Sequence, residues 1–195
     1  MDSKTYMASA LRTESIQPSL NMNTTGTLRL LGVLTSAASV ADTFKRGMFY
    51  GKGLNAKKLE SELLELAFQA VAAMNLVHRL DWREGSVVSA GQPNMRLLHA
   101  SIGMFGESGE MLEAIIKQIN TGELDMANFA EELGDTDWYK AIAHDETGIS
   151  EERSRATNID KLKLRYPAKY SDESAAVRDL DAERLVLEAG VVSAP

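Results

Sequence analysis

The apolar residues between positions 59 and 77 recur at alternating steps of three and four, which is the period of one helix face. A second stripe of this kind follows between positions 98 and 119. No stretch of useful length shows the two-residue alternation or the β-branched runs that are typical of strands. The pattern predicts an all-α fold, a bundle of five or six helices joined by short turns. The two stripes are Leu59, Leu63, Leu66, Ala70, Met74 and Val77, and then Leu98, Ile102, Phe105, Leu112, Ile116 and Ile119.

Capping residues and helix breakers divide the chain into these helices. Asp125 and Ser150 are predicted N-caps, Pro167 ends the helix after Ser150, and Gly190 is predicted to close the last helix. The helices are expected over about 28–49, 59–77, 94–118, 126–145, 151–166 and 172–188. We interpret residues 1–26 as a flexible arm, 81–93 as a loop, 27–190 as one domain with a functional core over 94–167, and 191–195 as a tail.

The composition restricts the class of function. A chain of 195 residues can bury one core, and its net charge of −7 argues against a general binder of nucleic acids or anionic membranes. The chain has no Cys, which excludes disulfides and thiolate metal sites. No signal peptide or membrane span is recognisable, so a cytoplasmic location is expected.

Three glycines inside one predicted helix, Gly103, Gly106 and Gly109, are unusual. Each costs about 1 kcal/mol relative to Ala, so we expect close approach of another helix or a ligand there. Glu107 and Glu110 lie beside these glycines on the same helix, three residues apart. Two acids at this spacing repel each other unless a cation lies between them.

The next helix carries Glu132, Asp135, Tyr139 and Ile142 on one face. A face that contains Ile and Tyr is expected to point inward, where acids are costly unless they are paired or bind a metal. Antiparallel packing of the two helices would bring Glu107, Glu110, Glu132 and Asp135 together. Four carboxylates without Cys or clustered His predict a site for Mg²⁺ or Mn²⁺. Such a site suits hydrolysis of a phosphoric anhydride if a phosphate-binding face lies opposite.

The helix after Ser150 provides a candidate for that face. Asn158, Lys161 and Arg165 form one polar and cationic stripe, with Tyr166 at its end. Simpler interpretations stay open: the acids and cations can be solvated helix faces, Trp138 and Tyr139 can be core aromatics, and the glycines can accommodate a partner helix in a non-catalytic interaction module. No two of the three histidines, His78, His99 and His144, have the sequence spacing of a pair of metal ligands. We interpret Glu113 and Glu131 as surface or supporting acids.

Three ordered blocks of this chain resemble the MazG-like all-α nucleoside triphosphate pyrophosphohydrolases. The first two are Gly103-Met-Phe-Gly-Glu107-Ser-Gly-Glu110, and Glu131-Glu132-Leu-Gly-Asp135 followed by Trp138-Tyr139. The third is Asn158-Ile-Asp-Lys161-Leu-Lys-Leu-Arg165-Tyr166-Pro. The run from Arg178 to Arg184 is similar to the phage-type branch of that family.

The resemblance implies Mg²⁺-dependent cleavage of a (deoxy)nucleoside triphosphate to its monophosphate and pyrophosphate, in control of the nucleotide pool. It implies Glu107, Glu110, Glu132 and Asp135 as metal ligands. It also implies homodimers or homotetramers, and the host cytoplasm if a phage encodes the chain. Phosphoribosyl-ATP or an alarmone is the alternative substrate. The candidate substrate contacts are Asn158, Lys161, Arg165, Tyr139, Tyr166 and Trp138.

Overall fold

The computed structural model describes residues 1–16, 24–50, 53–77 and 93–192, and over these ranges it is all-helical without a β-strand. The predicted all-α class is therefore confirmed. His78, Gly51 and all but Pro93 of the predicted loop 81–93 lie outside the described residues. A 3₁₀ turn over Leu11–Thr13 follows the first helix. The α-helices are α1 (Ser3–Ala10), α2 (Thr24–Phe49), α3 (Ala56–Val77), α4 (Met95–Thr121), α5 (Met126–Thr147), α6 (Glu151–Arg165), α7 (Asp172–Ala176) and α8 (Leu180–Val192).

The helices form two compact units. One unit contains α1, α4, α5, α6 and α8, and the other contains α2, α3 and α7. In the first unit α4 packs along α5, α1 packs on α5, and α6 packs along α8. In the second unit α2 packs along α3. The single domain over 27–190 and the tail over 191–195 stay predictions.

Local capping explains where the central helices begin and end. Asn94, Asp125 and Ser150 accept hydrogen bonds from the third residue after each of them, at 3.0, 3.1 and 3.2 Å. The helices α4 and α5 end at Gly122 and Gly148, whose φ angles of +83° and +66° are left-handed. Asp125 and Ser150 are thus confirmed as N-caps, because their side chains satisfy backbone N–H groups that have no partner within the helix.

Arg96 fixes the antiparallel arrangement of α4 and α5. It lies near the start of α4 and pairs with Asp145 at 2.8 Å and Glu146 at 2.9 Å, near the end of α5. The same guanidinium pairs with Glu14 at 2.8 Å, which holds the N-terminal segment at this end of the helix pair. One Arg with five donors can satisfy several carboxylates at once. The unit that carries the predicted site is therefore clamped at one end.

The N-terminal segment, which the sequence analysis interprets as part of a flexible arm, contains the helix α1. Asp2 caps α1 by accepting a hydrogen bond from the Thr5 N–H at 2.9 Å. Tyr6 donates its hydroxyl to the carbonyl of Gly134 on α5 at 3.2 Å. These contacts dock α1 on α5, although its sequence lacks an apolar stripe; residues 17–23 lie outside the described residues.

The predicted last helix over 172–188 is corrected to two helices. Ser171 caps the short α7, the backbone is extended at Val177, and Asp179 starts α8 by accepting a hydrogen bond from the Ala182 N–H at 2.9 Å. Gly190 does not close α8 but lies inside it. A Cβ on Gly190 would overlap the side chain of Thr157, so this glycine lets α6 and α8 approach closely.

Candidate metal centre

Three of the four predicted carboxylates come together between α4 and α5. Oxygen atoms of Glu107, Glu132 and Asp135 all lie within 4.8 Å of one another. Glu107 is half-buried, Glu132 is buried and Asp135 is exposed, so the cluster runs from the helix contact towards solvent. Glu110 is exposed and lies outside this group of three, but the negative charge of Glu132 is the main cause that raises its pKa. The fourth acid is thus close enough to interact with the cluster.

Glu132 is the most constrained acid of the cluster. Its residue is only 5 % exposed, and it accepts a hydrogen bond from the Asn128 side-chain amide at 3.2 Å. Burial is the first cause that raises the pKa of Glu132, followed by its hydrogen bond with Glu107 and the charges of Glu107, Glu131 and Asp135. Both effects disfavour the ionised carboxyl. A cation between these oxygens would reverse this preference.

No Lys, Arg or His among the described residues forms an ion pair with Glu107, Glu110, Glu132 or Asp135. The charged side chains nearest in sequence pair elsewhere, since Lys140 bonds Asp137 at 3.0 Å. A group of carboxylate oxygens on two helices, with one acid buried and without a protein cation, fits a hard divalent ion. The residues present are therefore chemically suited to Mg²⁺ or Mn²⁺.

Gly103 explains how α5 comes so close to the acids on α4. A Cβ at this position would overlap the ring of Tyr139. The expected close approach of another helix is thus confirmed at Gly103, whereas the space beside Gly106 and Gly109 is open within 4 Å. Burial is the main cause that raises the pKa of the Tyr139 hydroxyl, and the charges of Glu107, Asp135 and Glu110 raise it further. Tyr139 therefore borders the carboxylate cluster.

Trp138 faces the N-terminal segment. Its indole N–H donates to the Ala10 carbonyl at 3.0 Å and to the Thr13 hydroxyl at 2.9 Å. The His99 ring packs edge-on against Trp138 and Tyr139, with centroids 5.8 and 5.5 Å away. This placement favours the interpretation of Trp138 as a packing residue over that of a base-stacking group.

The predicted phosphate-binding stripe lies on α6, which packs along α8. Asn158 is exposed and Lys161 half-buried. Arg165 forms a fork with Glu183, with its Nε 2.9 Å from Oε1, and its guanidinium lies 5.8 Å from the Tyr166 ring centroid. In the described part of the chain, neither a hydrogen bond nor an ion pair links Asn158, Lys161 or Arg165 to the four carboxylates. The role of this stripe in substrate binding stays a prediction.

The sequence analysis did not predict the roles of two residues in this unit, Glu183 and Tyr6. Glu183 is only 3 % exposed, and hydrogen bonds from Arg165 and Arg178 lower its pKa to about 2. Tyr6 contacts α5 beside the cluster, and burial and then the charges of Asp137 and Asp135 raise its pKa. Tyr6 lies on no apolar stripe and in no motif, and the run from Arg178 to Arg184 contains Glu183 without indicating that it pairs with Arg165.

In the part of the chain that the structure describes, no helix is long and apolar enough to cross a bilayer. Comparison of the chain with protein-family models, with curated proteins and with solved structures found no match.

Proposed function

We propose that this chain is a Mg²⁺-dependent hydrolase that cleaves nucleoside triphosphates to the monophosphate and pyrophosphate. The observation that supports this proposal is the cluster of Glu107, Glu132 and Asp135, whose oxygens lie within 4.8 Å of one another. The buried member, Glu132, has no protein cation beside it among the described residues. Clustered acids without a neighbouring cation lower the stability of the fold. Acids that a fold retains despite this loss are typical of functional sites.

The arrangement of the acids suits a bound divalent ion with an open side. Glu107, Glu132 and Asp135 would hold the ion, and Glu110 would assist from the exposed end. When bound, Mg²⁺ neutralises phosphate oxygens and promotes ionisation of an attacking water. The ring of Tyr139 borders the acids and fills the space between α4 and α5 at Gly103. The space beside Gly106 and Gly109 is open. The exposed side of Asp135 and Glu110 is where a triphosphate would approach.

The proposed reaction adds one water across the anhydride between the α and β phosphates. The water oxygen becomes part of the monophosphate or of pyrophosphate, and its protons pass to the acids or to solvent. The choice of this anhydride rests on the resemblance to MazG-like enzymes. Lys161 is proposed as a phosphate contact on the same basis.

A product assay tests the proposal. The chain is incubated with each of the common NTPs and dNTPs, with and without Mg²⁺, and mono-, di- and triphosphates and pyrophosphate are separated. We expect monophosphate and pyrophosphate only with Mg²⁺. Release of single phosphates would contradict the proposed bond, and no product from any nucleotide would favour another substrate such as phosphoribosyl-ATP or an alarmone.

Matched substitutions locate the activity. Glu132→Gln removes the buried charge and should abolish hydrolysis, because the group of ligands loses its central acid. Glu131→Gln is the control, because it removes the same charge from the neighbouring exposed residue. Equal activity of the two variants would contradict the metal assignment.

A non-catalytic interaction module is a second candidate, because several large apolar side chains on α4 are exposed. It predicts that Mg²⁺ and Mn²⁺ leave the melting temperature unchanged. A metal site must raise it, since a ligand that binds only the folded state stabilises that state.

A further inference from the structure

A cavity of about 480 Å³ lies between α1, α5 and α6. We call it the α1 cavity, and its lining residues come from the segments 3–7, 137–144 and 150–155. The Tyr6 hydroxyl holds α1 on α5, because it donates to the Gly134 carbonyl at 3.2 Å. Sites for small molecules usually have volumes of about 300–1,000 Å³. The α1 cavity is therefore large enough for a small ligand.

The α1 cavity lies on the opposite side of α5 from the carboxylate cluster. Ala141 and His144 line the cavity, whereas Glu132 and Asp135 belong to the cluster. Ala141 follows Glu132 by nine residues, and His144 follows Asp135 by nine residues. With about 3.6 residues per turn, nine residues make about two and a half turns, so the two members of each pair point to opposite sides of the helix. A ligand in the cavity is thus separate from an ion at the cluster.

Part of the wall of the α1 cavity is apolar. Ala141 is only 5 % exposed, and Tyr6 and Met7 are half-buried. A flat ring packs well on such a wall, because aromatic rings stack on one another and a thioether makes favourable contacts with them. This part of the cavity therefore suits an aromatic or heterocyclic ring.

Each of the three helices contributes one cation to the α1 cavity, namely Lys4, Lys140 and Arg155. Lys4 forms no ion pair with any residue that the structure describes. Lys140 and Arg155 are exposed and pair with Asp137 and Glu151 on their own helices. Exposed pairs of this kind contribute only about 0–1 kcal/mol, so both cations can turn towards a ligand. Three cations from three helices suit a phosphate group, which carries about 1.5 to 2 negative charges near pH 7.

Glu152 is the remaining acid of the cavity wall, and its charge is already compensated. Hydrogen bonds from the N–H group of its own residue and from the Ser3 hydroxyl lower the pKa of Glu152. It also lies in the first turn of α6, where the partial positive charge of the helix N-terminus offsets a negative charge. Glu152 therefore does not cancel the attraction of the three cations for a phosphate.

His144 offers the cavity a hydrogen-bond acceptor. Its Nδ1 lies 2.8 Å from the Ile149 carbonyl, which can only accept, so Nδ1 carries a proton. In the neutral ring Nε2 is then an acceptor, and none of the described residues donates to it. The amino groups of nucleobases are donors that can fill this position.

We propose that the α1 cavity is a second ligand site of this chain and binds a nucleoside monophosphate. The base packs on Tyr6 and donates to His144, and the phosphate lies among Lys4, Lys140 and Arg155. The choice of a nucleotide over another ring with an acidic group rests on the proposed function, because a monophosphate is a product of that reaction. Bound in this cavity, the product does not compete with the triphosphate for the metal ion.

Isothermal titration with AMP, GMP, CMP and UMP in the presence of EDTA tests the site, because EDTA keeps metal ions from the cluster. We expect at least one of them to bind, with the same Kd in Glu132→Gln and a Kd raised about tenfold in Lys4→Gln, which loses one charge-assisted hydrogen bond. Lys163→Gln is the matched control, since Lys163 is an exposed lysine of α6 outside the cavity, and its Kd should be unchanged. Absence of binding, or an unchanged Kd in Lys4→Gln, would overturn the proposal. Loss of binding in Glu132→Gln would place the ligand at the cluster and overturn it as well.

Two further ligands test the roles of the base and of the phosphate. The nucleoside without its phosphate and inorganic phosphate without a base should each bind more than about tenfold more weakly than the monophosphate. Equal affinity for inorganic phosphate would mean an anion site without a base pocket and would overturn the proposal. A chain that binds a monophosphate but hydrolyses no triphosphate would contradict the proposed function alone. A chain that hydrolyses triphosphates but binds no monophosphate in EDTA would contradict the second site alone.

Discussion

Glu132 shows how the surroundings of one acid connect stability and function. It is buried beside Glu107 and Asp135, and burial is the first cause of its raised pKa. A carboxyl whose pKa is raised by folding lowers the free energy of unfolding when it is ionised. This loss of stability is complete at pH values above the folded-state pKa. The penalty disappears as the pH falls from that pKa towards the ordinary value. At neutral pH without a metal, Glu132 therefore works against the fold.

We predict that Glu132→Gln raises the melting temperature of the metal-free protein at neutral pH, because the neutral amide removes the buried charge. The same variant should lose the rise in melting temperature that Mn²⁺ causes in the unmodified chain. Thermal unfolding with and without Mn²⁺ checks both effects, with Glu131→Gln as the control that should keep the response to metal. A lower melting temperature of metal-free Glu132→Gln would instead indicate a structural carboxylate.

Gly103 and Gly134 are helical glycines with opposite surroundings. A Cβ on Gly103 overlaps the Tyr139 ring, whereas a Cβ on Gly134 meets nothing within 4 Å. We predict that Gly103→Ala lowers the free energy of unfolding by about 1–2 kcal/mol, because overpacking outweighs the gain in helix propensity. Gly134→Ala should raise it by up to about 1 kcal/mol. Urea unfolding of both variants measures the difference, and a stabilising Gly103→Ala would mean that Tyr139 moves away freely.

At the scale of the elements, short-range signals made the central helices predictable. Asp125, Ser150 and Gly148 act on backbone groups within a few residues of themselves, so their effect is visible in sequence. The proximity of Glu107, Glu132 and Asp135 was also predictable, because a short turn leaves antiparallel packing of α4 and α5 as the simple solution.

The features that were missed depend on contacts between residues far apart in the chain. Gly190 is a common helix terminator by type, but here it serves the approach of α8 to Thr157 on α6. Trp138 owes its position to Ala10 and Thr13, which come from a segment without periodicity. The pair of Arg165 with Glu183 was not predicted, because nothing in the local sequence of Arg165 indicates it.

The stability that the contact between α6 and α8 contributes should depend on pH. The pKa of Glu183 is lowered to about 2 by hydrogen bonds from Arg165 and Arg178, from an ordinary value of 4.5. A lowered pKa contributes stability that is complete above the ordinary value and is lost as the pH falls from about 4.5 towards 2.

We therefore predict that Glu183→Gln lowers the free energy of unfolding by about 2 kcal/mol at pH 7, because the half-buried Arg165 and the exposed Arg178 lose the charged partner that they share. The difference from the unmodified chain should shrink below pH 4.5. Urea unfolding at several pH values measures it. Glu188→Gln on the same helix is the control and should change little at any pH, since the pair of Glu188 with Arg184 is exposed. A difference for Glu183→Gln that is independent of pH would contradict an electrostatic origin.

For the molecule as a whole, the composition of the core limits stability. The buried apolar residues of the described part are Ala10, Ala73, Ala100, Ala114, Ala141 and Ile142. Alanines bury little apolar area, so these fully buried positions contribute little to the free energy of folding. A ligand that binds the folded state raises the melting temperature by mass action.

Metal binding should stabilise the two units differently, since the carboxylate cluster belongs only to the unit that contains α4 and α5. At concentrations well above the Kd, each tenfold rise in Mn²⁺ adds about 1.4 kcal/mol to the unfolding free energy of that unit, which corresponds to about 6 °C for a unit of this size. Trp138 on α5 reports on this unit, and a Trp82→Phe variant leaves it as the only Trp of the chain. We predict that the melting temperature followed by Trp138 fluorescence rises with the logarithm of Mn²⁺ concentration, and that Glu132→Gln in the same background gives a flat line. A rise of equal slope in both proteins would place the ion elsewhere and contradict the proposed site.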